Sequence, residues 1–241
     1  YGIVRAHLRA QELGIRLIVG SEITLEEGPR IVLLVQDKGG YNNLCRLISA
    51  GRLRSAKGSA SVRIEEGIAH SEGLIAMVLP PEQQQISAHA RLASRLRGVF
   101  ADRLYVALAR HRVPEDMERE RIQRRIAEET GAPIVAAPEV LYHLRERRKL
   151  ADVLTCIRNS VTLEQAGTRL RPNAEHALKS DEELTALFAD SRQLLERSHE
   201  IASRCSFSLD ELSYRYPSQS LPDGYSTGAW LRELTFRGAR S

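Results

Sequence analysis

Cysteine is scarce in this chain, and what there is does not pair. Cys45, Cys156 and Cys205 stand far apart with no CxxC spacing, which excludes a disulfide framework and a zinc knuckle and points to a reducing, cytoplasmic setting. No apolar run approaches the ~20 residues of a membrane span, and no secretory leader precedes the first helical pattern, so no membrane partner is expected. Internal repeats and low-complexity tracts are also missing, which excludes solenoids and disordered tails. The charge surplus is small: 35 Lys+Arg against 31 Asp+Glu give +4 over 241 residues. Heavy use of Arg suits a nucleic-acid partner, but a surplus this modest also fits proteins that never touch DNA. What remains is ordinary globular composition, 42% hydrophobic and 27% charged, enough for one α/β barrel or one medium domain with an appendage. The chain begins at Tyr1, without Met, directly in a helical pattern, and is expected to be a piece of something longer.

Apolar runs and breakers alternate in αβ order. Val4, Leu8 and Leu13 mark a helix closed by Gly14, and the run Ile15–Val19 reads as a buried strand that leaves Glu22 just beyond its end. Gly28-Pro29 makes a turn before a second strand, 30–36, and Leu44, Leu47 and Ile48 give a helix whose apolar face is expected to hold Cys45 in the core. Residues 52–61 read as a mobile basic loop. Further strands fall at 73–79, stopped by Pro80-Pro81, at 103–109 and at 133–137, with helices over 83–98 and from Pro114-Glu115-Asp116 to Gly131. Regular alternation without hairpin signals predicts a parallel sheet or β/α barrel with right-handed crossovers. Beyond His143 strands give way to helices. Ser180 and Glu183 form a capping box ahead of one long apolar stripe from Leu184 to Ala202, and Trp230, Leu231 and Leu234 begin another helix.

Glu22, His111, and Glu139 with His143 each lie within a few residues of the carboxyl end of an expected strand. Those ends converge in a barrel, so residues distant in sequence can meet in one cleft. Imidazoles and carboxylates meeting there are ligands for zinc or manganese, and a carboxylate bridging two metals suits phosphoester hydrolysis. Each residue alone is explained as well by a solvated loop or a helix cap. His7, His70, His89, His176 and His199 are expected at the surface. The run Arg145-Glu146-Arg147-Arg148-Lys149 could bind phosphates or be a solvated helix face.

The stretches VGSEITLEEGPRIVLLVQDKGGYNNLCRLIS, RHRVPED, GAPIVAAPEV, RPNAEHALKS and IASRCSFSLDELSYRYP together resemble the amino-terminal part of bacterial C-family DNA polymerases, in particular the error-prone polymerase III alpha-subunit branch. The resemblance implies a PHP-type (β/α) barrel-like domain over residues 1–145, incomplete at its N-terminus, followed by a helical connecting region, 146–241, that leads toward the polymerase palm. It implies that Glu22 matches a metal-bridging acid, His111 a histidine ligand, Glu139 the acid of an Asp-x-His pair and His143 a nearby histidine, with Zn or Mn as the metal. Leu141 stands where the pair's histidine belongs and has no lone pair to give. The family's His-x-His motif and palm aspartates, which take Mg, lie outside this sequence, so this piece alone is not expected to polymerise DNA.

The function so implied is the N-terminal part of an error-prone, translesion polymerase in DNA repair and damage-induced synthesis. Its partners are DNA and replication or translesion proteins, and its PHP domain is mainly a scaffold. Two alternatives stay open: a metal-dependent phosphoesterase or proofreading exonuclease module using Glu22, His111 and Glu139, and a non-catalytic module binding DNA or protein through the basic loop and the Arg-rich helix.

Overall fold

A computed structural model describes residues 2–26, 30–80, 86–213 and 221–240. The expected turn at Gly28-Pro29, the second proline of Pro80-Pro81, the start of the helix at 83–85 and the looped stretch around Pro217 lie outside them. The chain divides into two compact units, residues 1–209 and 210–241.

The first unit is built on one five-stranded sheet, β1 Gly20–Thr24, β2 Arg30–Val35, β3 Leu74–Val78, β4 Leu104–Leu108 and β5 Ile134–Ala136, in that spatial order. β3, β4 and β5 are parallel, as their helical crossovers require. β1–β2 and β2–β3 are antiparallel, which corrects the all-parallel expectation. Residues 25–29 are too few for a crossover of a dozen or more, so β2 must turn back on β1. Two reversals leave β1 running with β3–β5, and Arg30 at the start of β2 therefore shares the carboxyl edge of the other four strands.

β1 itself lies later than the sequence suggests. Gly14 closes α1 (Ile3–Leu13) in the left-handed region at φ 64, and 15–19 is an extended lead-in that joins the ladder only through Val35 N–H to Val19 O at 2.8 Å. Ile15 is exposed, and Glu22 falls inside the strand.

The central strands are covered on both faces, which is why they read as continuous apolar runs. Helices α2 (Lys38–Arg54), α4 (Ile86–Phe100) and α5 (Glu115–Thr130) contact β2, β3 and β4. Leu47, Ala93, Leu96, Phe100 and Ile126 are buried. Across the sheet, Ile75, Tyr105 and Val135 pack against Ile201 of α9 (Gln193–Arg204) and Cys205 just past its end. Arg197 donates to Ile134 O at 2.7 Å and Arg204 to Tyr105 Oη at 2.8 Å. α9 closes this face of the compact unit that runs to Leu209.

The remaining helices of this unit are α3 (Ile64–Ala69), α6 (Arg148–Asn159), α7 (Leu163–Ala166) and α8 (Asp181–Leu187). The Ser180–Glu183 capping box forms, with Ser180 N–H to Glu183 Oε2 at 3.0 Å and Glu183 N–H to Ser180 Oγ at 3.2 Å. The expected single stripe from Leu184 to Ala202 is broken between α8 and α9. There Arg110 makes paired bonds to both Glu120 and Asp190 and lies 4.9 Å from the Phe188 ring centroid. Cys45 is exposed rather than core, because α2 turns Leu44 and Leu47 inward instead. The second unit carries α10 (Thr227–Gly238), capped by Ser226, with Trp230 edge-on to Tyr225 at 5.2 Å. Among the described residues no helix is long and apolar enough to cross a membrane.

Candidate metal centre

Leu108 and Ala136 are register partners and the last residues of β4 and β5. His111 follows the first by three residues and Glu139 follows the second by three, so adjacent parallel strands deliver both to one level of the carboxyl edge, where open α/β sheets keep their sites. The turn after β4 is held in place twice over. Arg112 takes φ 53, a left-handed conformation that costs a non-glycine residue about 1 kcal/mol or more. Buried Asp116, in the first turn of α5, accepts from His111 N–H at 2.7 Å and Val113 N–H at 3.2 Å. Fully buried Gln123 on the same helix donates to Val78 O and Ala107 O, tying α5 to the ends of β3 and β4.

A third side chain arrives from the segment after α7. Residues 171–179 lie across the strand ends as a strap: Asn173 donates to His111 O at 2.6 Å, Leu141 N–H donates to His176 O and Leu178 N–H to Tyr142 O, both at 2.9 Å, and Tyr142 bridges Ala177. Glu175 of the strap is bonded by Arg145 at 2.6 Å. His176 is thereby buried against the edge, its ring stacked on His111 with centroids 3.9 Å apart. Its Nδ1 faces Glu139 O at 3.1 Å and Glu139 Oε2 at 3.2 Å. Both are acceptors, so Nδ1 donates to them, as the second nitrogen of metal-binding histidines commonly does toward a carboxylate.

His111, Glu139 and His176 each offer a ligand atom, and these atoms lie within 4.8 Å of one another. Burial first, and then the neighbouring His176, pushes His111 down to about 4, so its imidazole is neutral. The hydrogen bond from His176, reinforced by Arg171, holds Glu139 at about 2. A neutral His111 imidazole and an ionised Glu139 carboxylate are the protonation states in which these groups bind a divalent cation. His111 Nε2 is buried without a hydrogen-bond partner, a cost that a ligand at this point would remove. The donor set thus fits one divalent ion held by two imidazoles and a carboxylate.

His111 and Glu139 do meet. Glu22 and His143, expected beside them, are outside this group of donors among the described residues. Because β1 starts five residues later than the apolar run, Glu22 sits within the ladder, two residues before Thr24, and pairs across the strands with Arg30 at 2.9 Å. His143 is exposed, and Leu141 contributes only its backbone N–H, which anchors the strap. His176, expected at the surface, is the member of this donor group that sequence reasoning missed; the turn-forming Pro172-Asn173 ahead of Glu175-His176 was the available signal. His89 was also placed wrongly: it is buried on α4, bonding Leu79 O through Nε2, and burial lowers its pKa. The arginines offered for phosphate binding are largely paired. Arg54 bonds Glu66 at 2.6 and 2.7 Å, and Arg145 bonds Glu175 and Glu183.

A mixed α/β sheet with a polar group at its carboxyl edge defines the class. The PHP domain model matches residues 1–127, and the chain belongs to that family. Domains of this family typically bind metal. Over nearly its whole length the chain is also similar to proteins named error-prone DNA polymerase. It is 41% identical to that of Pseudomonas fluorescens Pf-5 over 237 residues, 98% of this chain and 22% of the relative, and 41% identical to that of Methylococcus capsulatus over 240 residues, again 98% and 22%. Similarity to error-prone DNA polymerase 1 of Agrobacterium fabrum is 40% over 221 residues, 91% of this chain and 20% of the relative. The chain therefore spans about a fifth of the length of these relatives. The matched PHP region ends before Glu139 and His176, so two of the three donors come from sequence beyond it.

Proposed function

We propose that this chain is the N-terminal part of a cytoplasmic error-prone DNA polymerase acting in DNA repair and damage-induced, translesion synthesis, with DNA as the partner of the whole protein. In this reading residues 1–145 are the PHP portion and 146–241 lead toward the palm, where Mg serves the polymerase reaction. Similarity along almost the entire chain to proteins named for that activity supports the assignment.

Within such a protein the PHP portion serves mainly as a scaffold with a degenerate metal site. The observation that carries this is Glu22, whose carboxylate pairs with Arg30 in the β1–β2 ladder and, among the described residues, is not one of the three grouped donors. His111, Glu139 and His176 would hold one Zn or Mn ion. Such an ion supplies Lewis-acid polarisation of a bound oxygen, whereas in-line phosphoester hydrolysis draws on a second. The protein's own contribution is positional: Asp116 and Asn173 fix the His111 turn from its two sides, and the His176 N–H orients Glu139.

The test is hydrolysis of p-nitrophenyl phosphate and 3′-to-5′ degradation of single-stranded DNA with Zn2+ or Mn2+ added. No turnover above that of Glu139→Gln is expected. Metal-dependent turnover that E139Q abolishes would replace the scaffold with a phosphoesterase or exonuclease.

A further inference from the structure

The strap that brings His176 to the edge also brings a cation. Arg171 Nη2 lies 3.0 Å from Glu139 Oε2, the oxygen that also faces His176 Nδ1 at 3.2 Å. We propose that Arg171 is a built-in competitor for Glu139, so that a divalent metal ion binds His111, Glu139 and His176 weakly while the guanidinium is in place and tightly once it is displaced. The proposal rests on the reading of these three residues as a metal-competent donor set.

Three features support it. The guanidinium is delivered by fixed backbone: Arg148 donates to Arg171 O at 2.7 Å, and Asn173, two residues on, is anchored to His111 O. Arg171 has no acid partner nearer than Glu139 among the described ion pairs, so its charge is directed at the donor set itself. Its side chain is 45% exposed, and a half-solvated guanidinium can swing into water at little desolvation cost. A metal ion and the guanidinium compete for Glu139 on two counts: Arg171 and His176 together already occupy Oε2, and a dication beside a guanidinium is repelled at any dielectric a protein edge offers. The arrangement makes metal content a property of the strap: whatever draws Arg171 away, a phosphate of a bound nucleic acid included, loads the site.

Cobalt(II), which colours when bound by imidazoles and carboxylate, is the probe. The protein, Arg171→Gln, Arg171→Lys and Glu139→Gln are titrated with Co2+ and followed by visible absorbance, with circular dichroism confirming that each is folded. Arg171→Gln is expected to tighten Co2+ binding by about ten-fold or more, Arg171→Lys to stay within a few-fold of the parent because it keeps the charge, and Glu139→Gln to lose binding. Equal affinity in the parent and Arg171→Gln, or a gain in Arg171→Lys as large as in Arg171→Gln, overturns the competition while leaving the donor set standing. Absence of Co2+ binding from both the parent and Arg171→Gln removes the donor set and the proposal together. The hydrolysis assay above tests the scaffold reading separately: Co2+ binding without turnover leaves both that reading and the competition standing.

Discussion

His111 and Asp116 show how few atoms hold the edge in place. The imidazole is buried neutral, its ring on His176 and its backbone N–H on the Asp116 carboxylate. As pH falls below 6.5 the unfolded chain takes up a proton that the folded His111 refuses until about 4, so stability declines across that window. Glu139 acts in the same direction lower down. Its carboxylate, held at about 2, favours the folded state fully above 4.5, and this contribution is lost as pH falls toward 2. Urea midpoints measured from pH 7.5 to 3 are expected to fall once the pH drops to the region of 6.5 and below. His111→Gln should reduce the slope between 6.5 and about 4, with buried His89 keeping part of it, and leave the lower portion sloping; an unchanged profile in that variant would mean that His111 is not buried as described. Asp116→Ala strips two N–H donors of their acceptor and is expected to cost about 2–3 kcal/mol in urea unfolding, with Asp116→Asn losing less because one acceptor oxygen survives.

At the scale of elements, what could be read in advance followed the strength of the local signal. β2 to β5 were legible because strands covered on both faces are unbroken apolar runs, and the Ser180 cap because its geometry is local. β1 was displaced because 15–19 is as apolar as a strand, yet only Val19 reaches the ladder. The reversal of β2 depended on a connection of five residues, whose shortness outweighs the alternation seen elsewhere. His111 and Glu139 were legible as candidates because each follows a strand by the same offset. His176 was not, since its place depends on a strap folded back over two strand ends more than thirty residues earlier in the chain. Close approach of elements also sets the tolerance of glycines. Where α2 begins, a Cβ on Gly40 would sit 1.9 Å from Gly73 O, backbone that cannot yield because Gly73 is itself at φ +69. Gly40→Ala is therefore expected to lose at least ~2 kcal/mol or fail to fold. Gly98, in α4 with open space around it, is the matched control: Gly98→Ala should gain about 0.5–1 kcal/mol from helix propensity alone. Equal effects at the two sites in thermal melts would contradict the close packing of α2 on the β3 turn.

At the scale of the whole molecule, the compact unit from 1 to 209 leaves one strongly amphipathic helix facing the wrong way for a self-contained domain. α6 buries Cys156 and contacts α7, while Leu150, Val153, Leu154 and Ile157 point to solvent, Leu154 at 57% and Ile157 at 68% exposure. Leu163 and Leu178, elsewhere in the same unit, are also more than half exposed. Single exposed leucines are ordinary, but four apolar side chains at helical spacing form a stripe of the kind that drives association. At these exposures the side chains contribute little to folding, so charge at their tips costs little; the change falls on the solution behaviour instead. Leu154→Glu with Ile157→Glu is accordingly expected to shift unfolding by less than about 1 kcal/mol, while lowering light scattering and dye binding of the chain at micromolar concentration. A large loss of stability in the double variant would show that the stripe is packed in solution and that α6 sits differently from the arrangement described. An unchanged scattering profile would move the association-prone surface to α1, whose Val4, Leu8 and Leu13 are exposed to a similar degree.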